Sequence, residues 1–281
     1  MRHKLAMKVH LELSKASEHK PDLTLSSADV LSLESILAFP LSIAGDPATE
    51  LFKQFEDNKV ADYVVIDLGT GQNWLTSRLY IFAIMLERMR GLRCFVFLAT
   101  RDDINQRFLG IASPDKIRWA LARRYPWLEM AFAKVYFDSS ENSHITPGLR
   151  ILSATGALDR ELAQEVVYHF LSNPNIQQLL PPNTSPNPDD GEWEFLRTKD
   201  GQQLWEHAKW LDATLLGQDL SDILQQDEST WLKESPSASY TEQARSIIRR
   251  NVSFVALVDE QKRFKSLIDR QGFLEREVAS R

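Results

Sequence analysis

The chain has 281 residues, 43% of them hydrophobic and 26% charged, and a formal net charge of −6. That composition is ordinary for a folded globular protein, and its acidity argues against general binding to nucleic acid. Cys94 is the sole cysteine, which excludes an intrachain disulfide and a cysteine-ligated zinc site and fits a reducing compartment.

Met1–Lys20 is polar and lacks the apolar run of a secretion signal, so a cytoplasmic location is expected. The longest strongly apolar run, Leu79–Leu86, is far short of the roughly 20 residues a membrane span needs, so no membrane association is expected. Charge is unevenly placed. Arg78–Arg124 carries ten basic and four acidic residues, Ile151–Glu242 five and sixteen, and Gln243–Arg281 nine and five. Such segregation suits either a charged partner or pairing of the acidic middle with its basic flanks.

In chain order, Ala6–Leu13 reads as a strand, Ala28–Leu37 as a short helix, and Pro47–Asp57 as a helix capped by Asp46. Asp62–Leu68 is a β-branched run bounded by Gly69 and Gly71, the pattern of a buried strand. Trp74–Arg90 follows as a helix stopped by Gly91, and Cys94–Ala99 as a second continuous apolar strand. Together these make a βαβ unit. Arg107–Ala112 predicts a third strand, and Ser113-Pro114 opens a helix that Pro126 interrupts.

Beyond a loop at Asp138–Leu149, helices are predicted over Leu158–Leu171, Gln202–Leu216 and Leu220–Gln225. Pro181–Gly191 is rich in turn formers and reads as an exposed, mobile loop. The end predicts helix (Glu242–Arg250), strand (Ser253–Asp259), strand (Phe264–Asp269) and helix (Phe273–Ala279). The expected fold is therefore α/β. A partly parallel sheet with covering helices fills residues 1–150, and a mainly helical segment with a small αββα end fills 151–281.

Three segments carry chemistry. Asp67-Leu68-Gly69-Thr70-Gly71 ends a strand and precedes a helix, where glycines admit a close backbone approach and a helix N-terminus favours an anion. The five residues resemble the first motif of S-adenosylmethionine-dependent methyltransferases and the phosphate loop of actin-like and sugar-kinase ATPases. That resemblance implies a nucleotide or S-adenosylmethionine at Asp67, Gly69, Thr70 and Gly71, with Asp102 beyond the next strand available to a ribose. Trp74 stands where a dinucleotide fingerprint has its third glycine.

Arg118, Arg123 and Arg124 alternate with Trp119, Tyr125 and Trp127, a pattern that can hold phosphates and stack bases, or present arginines to solvent beside core-anchoring rings. Finally, Thr241–Ser280 resembles one half of a CBS-type (cystathionine-β-synthase-like) module, a family that senses adenosine nucleotides. Gly272 occupies the position where that family places a ribose-binding aspartate.

No catalytic set or metal-ligand spacing stands out, and the cofactor is left open. The leading expectation is a non-catalytic interaction or regulatory protein that senses a small anionic ligand or docks a charged partner, another protein. The alternatives are an enzyme using a nucleotide or S-adenosylmethionine at Asp67–Gly71, and nucleic-acid backbone binding through residues 78–124.

Overall fold

The structure, a computed structural model, describes residues 33, 35–41, 53, 61–87, 92–140, 168, 170, 176–178, 193–197, 203–234 and 239–279. The strand expected at Ala6–Leu13, the helices expected over Pro47–Asp57 and Leu158–Leu171, and the loop Pro181–Gly191 lie wholly or almost wholly outside those residues. Helices and strands are mixed, and parallel pairs occur in two of the three sheets, so the protein is α/β. Among the described residues, no helix is long and apolar enough to cross a membrane.

The chain forms two compact units, each assembled from separated stretches. One contains Ser35–Phe95 and Ala112–Leu224, and the other draws its described residues from Val96–Ile111 and Gln225–Arg281.

In the first unit, β1 (Ser35–Ala38) pairs parallel with β2 (Tyr63–Asp67), Ser35 opposite Tyr63 and Ala38 opposite Ile66. β1 corrects the helix expected up to Leu37: its backbone groups find partners along β2, and such tertiary pairing outweighs local propensity. β2 is apolar without alternation because Tyr63, Val64, Val65 and Ile66 are all buried. The helix α1 (Thr76–Glu87) is buried at every residue from Thr76 to Leu86, and the Phe82 and Trp74 rings pack edge to face with centroids 5.3 Å apart. A helix enclosed on all sides needs an apolar sequence all round. Thr76, Ser77 and Arg78 are the exceptions, and of the three Arg78 carries a charge.

Its partner is Glu206. Arg78 Nη1 and Nη2 each donate across 3.1 Å to a Glu206 carboxylate oxygen, both residues are at most 1% exposed, and Ser77 Oγ donates to the same carboxylate. Glu206 sits on β7 (Gln203–His207), the middle strand of an antiparallel sheet with β5 (Ile176–Gln178) and β6 (Trp193–Arg197). This overturns the helix expected over Gln202–Leu216 and the mainly helical character expected of residues 151–281. Leu204, Trp205, Ala208, Leu211 and Leu215 do fall at helical spacing. Yet Leu204 and Ala208 instead pack with Leu75 and Leu196, and a buried Glu206 has to meet Arg78. Helix resumes only at α4 (Ala213–Asp219), where Asp212 accepts from Leu215 N at 2.7 Å.

The helices α2 (Pro114–Arg124) and α3 (Pro126–Ser140) meet where Pro126 had predicted a break. Ser113 is the N-cap residue of α2 but makes no side-chain capping bond, so Pro114 marks the start.

In the second unit, β3 (Cys94–Arg101, which enters this unit at Val96) and β4 (Ile104–Ala112) are neighbouring strands. Asp102 and Asp103 join them with φ of 51° and 62°, the double positive φ of a type I′ hairpin turn. Farther along come β8 (Trp231–Lys233), α5 (Tyr240–Arg249), β9 (Phe254–Val258), β10 (Phe264–Asp269) and α6 (Arg270–Ala279). The strand order is β10-β9-β8, with β8 parallel and β10 antiparallel to β9. Ala244, Ile247 and Ile248 of α5 pack with Val255, Leu257, Ile268, Phe273 and Leu274 into one core. A capping box starts α5: Ser239 Oγ accepts from Glu242 N, and Glu242 Oε2 accepts from Ser239 N at 3.2 Å.

The buried ion pair makes a direct test of the first unit. Arg78→Met strands Glu206 without its partner and is expected to cost about 3–5 kcal/mol in urea unfolding. Adding Glu206→Leu should recover most of that loss, because no charge then stays buried. A double variant as unstable as the single one would count against the pair's role.

Candidate functional site

The Asp67–Gly71 turn is built by its own side chains and by the chain at Asp212. Asp67 Oδ1 accepts from Gly69 N at 2.8 Å, Gly71 N donates to Leu68 O at 2.9 Å, and Asn73 Nδ2 donates to Asp67 O at 3.2 Å. Both glycines have positive φ, 56° at Gly69 and 102° at Gly71, which an L side chain rarely adopts. A Cβ on Gly71 would lie 2.6 Å from Asp212 Cβ, and one on Gly69 would lie 2.7 Å from Asn73 Nδ2. Residues 209–211 close the turn from the other side: Thr76 N donates to Lys209 O at 2.9 Å and Leu211 N to Trp74 O at 2.7 Å. Thus turn geometry and the approach of Asp212 account for both glycines, and Thr70 is the exposed residue of the motif.

Asp102 belongs to the β3–β4 hairpin turn, in the other compact unit from Asp67. Its exposed carboxylate lies 3.6 Å from Arg101 Nε and 3.5 Å from Arg107 Nη1.

The three arginines of α2 do not face one way. Arg118 is only 8% exposed; its guanidinium binds Glu87 at 3.0 Å and also Glu129, and it covers the Phe132 ring at 4.9 Å. Tyr80 donates its hydroxyl to the same Glu129, and burial together with that carboxylate pushes the Tyr80 pKa far up. Trp119, a candidate core anchor, is instead 60% exposed, whereas Trp127 is buried and donates from Nε1 to His207 O at 3.0 Å. Arg123 pairs with Asp222 at 2.9 Å and Arg124 with Asp219 at 3.7 Å. Hydrogen bonding by Arg123 holds the Asp222 carboxyl below its usual range. The basic segment 78–124 therefore meets carboxylates of the acidic segment 151–242 within one unit, at Arg78, Arg123 and Arg124.

A different constellation has cations to spare. An open cleft of about 600 Å³ in the second unit is lined by Ser229, Glu242, Arg245, Ser246, Arg249, Arg250 and Asn251. The amphipathic α5 creates it: Ala244, Ile247 and Ile248 turn to the core, which leaves Arg245 and Arg249 one helical turn apart on the polar side. Among the described residues neither guanidinium has a carboxylate partner. Arg250, the C-cap residue, donates from Nη1 to Ser246 O at 2.8 Å and to Ser246 Oγ, and from Nη2 to Trp231 O at 2.9 Å. Those acceptors are neutral, and its buried Nε has no hydrogen-bond partner among the described residues. Burial lowers the Arg250 pKa from the ordinary guanidinium value.

Sequence reasoning noted the basic excess after Gln243 but not this site. The available signal was Arg-x-x-x-Arg-Arg on the polar face of an amphipathic helix. Comparison with protein-family models, curated proteins and solved structures finds no match for this chain.

The glycine geometry sets an order of sensitivity. Gly71→Ala is expected to cost more than about 1 kcal/mol, because it combines a positive φ with a clash against Asp212. Gly69→Ala should cost less, since the atom it meets is the end of a movable Asn73 side chain. Urea midpoints of the two variants decide, and the reverse order would show that Asp212 does not close the turn.

Proposed function

We propose that this protein is a non-catalytic regulatory or interaction protein that senses an anionic ligand in the cleft at Arg245, Arg249 and Arg250. The observation that carries the reading is a cleft lined by three arginines that, among the described residues, have no carboxylate partner, beside the hydroxyl groups of Ser229 and Ser246; Arg245 and Arg249 make no other bond there, while Arg250 is held by Ser246 and Trp231 O. Arginines that outnumber the acids around them match phosphate and carboxylate groups, and the match strengthens where water is partly excluded. A cytoplasmic setting and a protein partner that responds to ligand occupancy belong to the same reading. The order β8, α5, β9, β10, α6 supports the resemblance to a CBS-type half, and adenosine nucleotides are accordingly among the ligands to try.

The competing enzyme reading rests on Asp67–Gly71, where Asp67 Oδ1 already serves Gly69 N and Asp212 lies against Gly71. The nucleic-acid reading rests on Arg118, Arg123 and Arg124, each of which has an acidic partner in its own unit.

Thermal unfolding at low ionic strength tests the proposal. Millimolar phosphate should raise the parent Tm by binding the folded state alone, and Arg245→Glu with Arg249→Glu should abolish the rise. Phosphate also stabilises proteins non-specifically, so an equal rise in parent and double variant would overturn the proposal.

A further inference from the structure

We infer that the arginine cleft is built for a hydroxyl-bearing phosphomonoester, such as a phosphorylated sugar or polyol; this rests on the anion-sensing reading above. Charge comes first. Three arginines and one carboxylate, Glu242, line the cleft among the described residues, a formal surplus of two positive charges. A phosphomonoester carries about −1.5 to −2 at neutral pH, whereas a diphosphate exceeds the surplus and meets the carboxylate besides.

Volume and lining come second. One phosphoryl group leaves most of the 600 Å³ to the organic part of the ligand. Every described residue lining that space is polar, so it offers a nucleobase no aromatic ring to stack on. What the lining presents is hydrogen-bonding capacity of both kinds. Ser246 Oγ accepts from Arg250, which leaves its proton to donate to an anion. Ser229 donates its proton to Asp227 Oδ1, which leaves its oxygen to accept from a ligand hydroxyl. Glu242 Oε2 serves Ser239 N, and its other oxygen is an acceptor for a second hydroxyl. The Asn251 amide adds two donors and an acceptor on the exposed rim. The arginines thus fit the phosphoryl group, and Ser229, Glu242 and Asn251 fit the polyol.

Glu242 has two consequences in this arrangement. It accepts from hydroxyl groups, and it repels any charge beyond the dianion. Glu242→Gln separates these effects without losing the helix cap, since glutamine also completes a capping box.

Isothermal titration of the full chain at pH 7.5 and low salt, with inorganic phosphate, glycerol 3-phosphate, ribose 5-phosphate, AMP and pyrophosphate, tests the inference. Ribose 5-phosphate should bind roughly tenfold tighter than inorganic phosphate, the scale of one or two added hydrogen bonds. Asn251→Ala should reduce that advantage, whereas Arg245→Glu with Arg249→Glu should remove inorganic phosphate binding as well. Glu242→Gln should strengthen pyrophosphate binding and weaken ribose 5-phosphate binding. Affinity should also fall as pH drops through about 6, where the phosphomonoester loses its second charge. Equal affinity for inorganic phosphate and both polyol phosphates, or tightest binding by pyrophosphate or AMP, overturns the ligand class but leaves anion sensing intact. No binding by any of the five, or binding unaffected by Arg245→Glu with Arg249→Glu, overturns both.

Discussion

Much of the first unit follows from a single constraint: a charged arginine placed in a helix buried from Thr76 to Leu86. Arg78 lies among residues that could not otherwise tolerate a cation, so a carboxylate must be delivered to it, and β7 delivers Glu206. That requirement brings a segment almost 130 residues away in sequence onto α1 and fixes its register, because a slip of one residue would turn Glu206 away. The consequences spread locally. With β7 held, residues 209–211 run along 74–76, Asp212 reaches Gly71, and α4 starts from Asp212. The glycine turn after β2 is shaped by this chain of contacts as much as by its own sequence. Buried ion pairs add little net stability compared with apolar replacements, but they exclude alternative pairings, and specificity of register is the role the geometry supports here.

The same logic explains the uneven charge along the chain. Basic and acidic segments that look like separate binding surfaces in one dimension are joined in three at Arg78–Glu206, Arg123–Asp222 and Arg124–Asp219. The exposed pairs among them contribute little each, being screened by water and salt. What they do is remove most of the apparent charge surplus of α2. The arginines at the end of α5 stand out against that background because the described residues lining their cleft include one acid, Glu242.

The parts of the fold legible in the sequence are those where one local pattern dominates. β2, α1, β3, β9 and β10 are apolar runs or periodic stretches, with Gly69, Gly71 and Gly91 punctuating the first three, and Pro114 and Pro126 punctuate α2 and α3 as expected. The illegible parts are those that a distant partner decides. β1 owes its extended form to β2, and β7 to β6 and Arg78, while its apolar spacing imitates a helix. The β3–β4 turn hides because two consecutive aspartates suggest a ligand site, although aspartate also tolerates the left-handed region that a tight hairpin demands. The cleft was out of reach for a similar reason. Arg245, Arg249 and Arg250 are visible as a spacing, but Ser229 joins them only through the fold.

The bond from Arg250 to Trp231 O has a bearing on solubility. Along β8, Thr230 O is taken by Ala256 N and Glu234 N donates to Val258 O, so the even-numbered residues face β9. By the alternation of a strand, Trp231 O points the opposite way, to the outer edge of the sheet, where a strand from another molecule could pair with it. A guanidinium already sits on that carbonyl at 2.9 Å. It occupies an acceptor that edge-to-edge pairing would need and puts positive charge in the path of an incoming strand. Together with the brevity of β8, only three residues, this makes the edge a poor template for self-association.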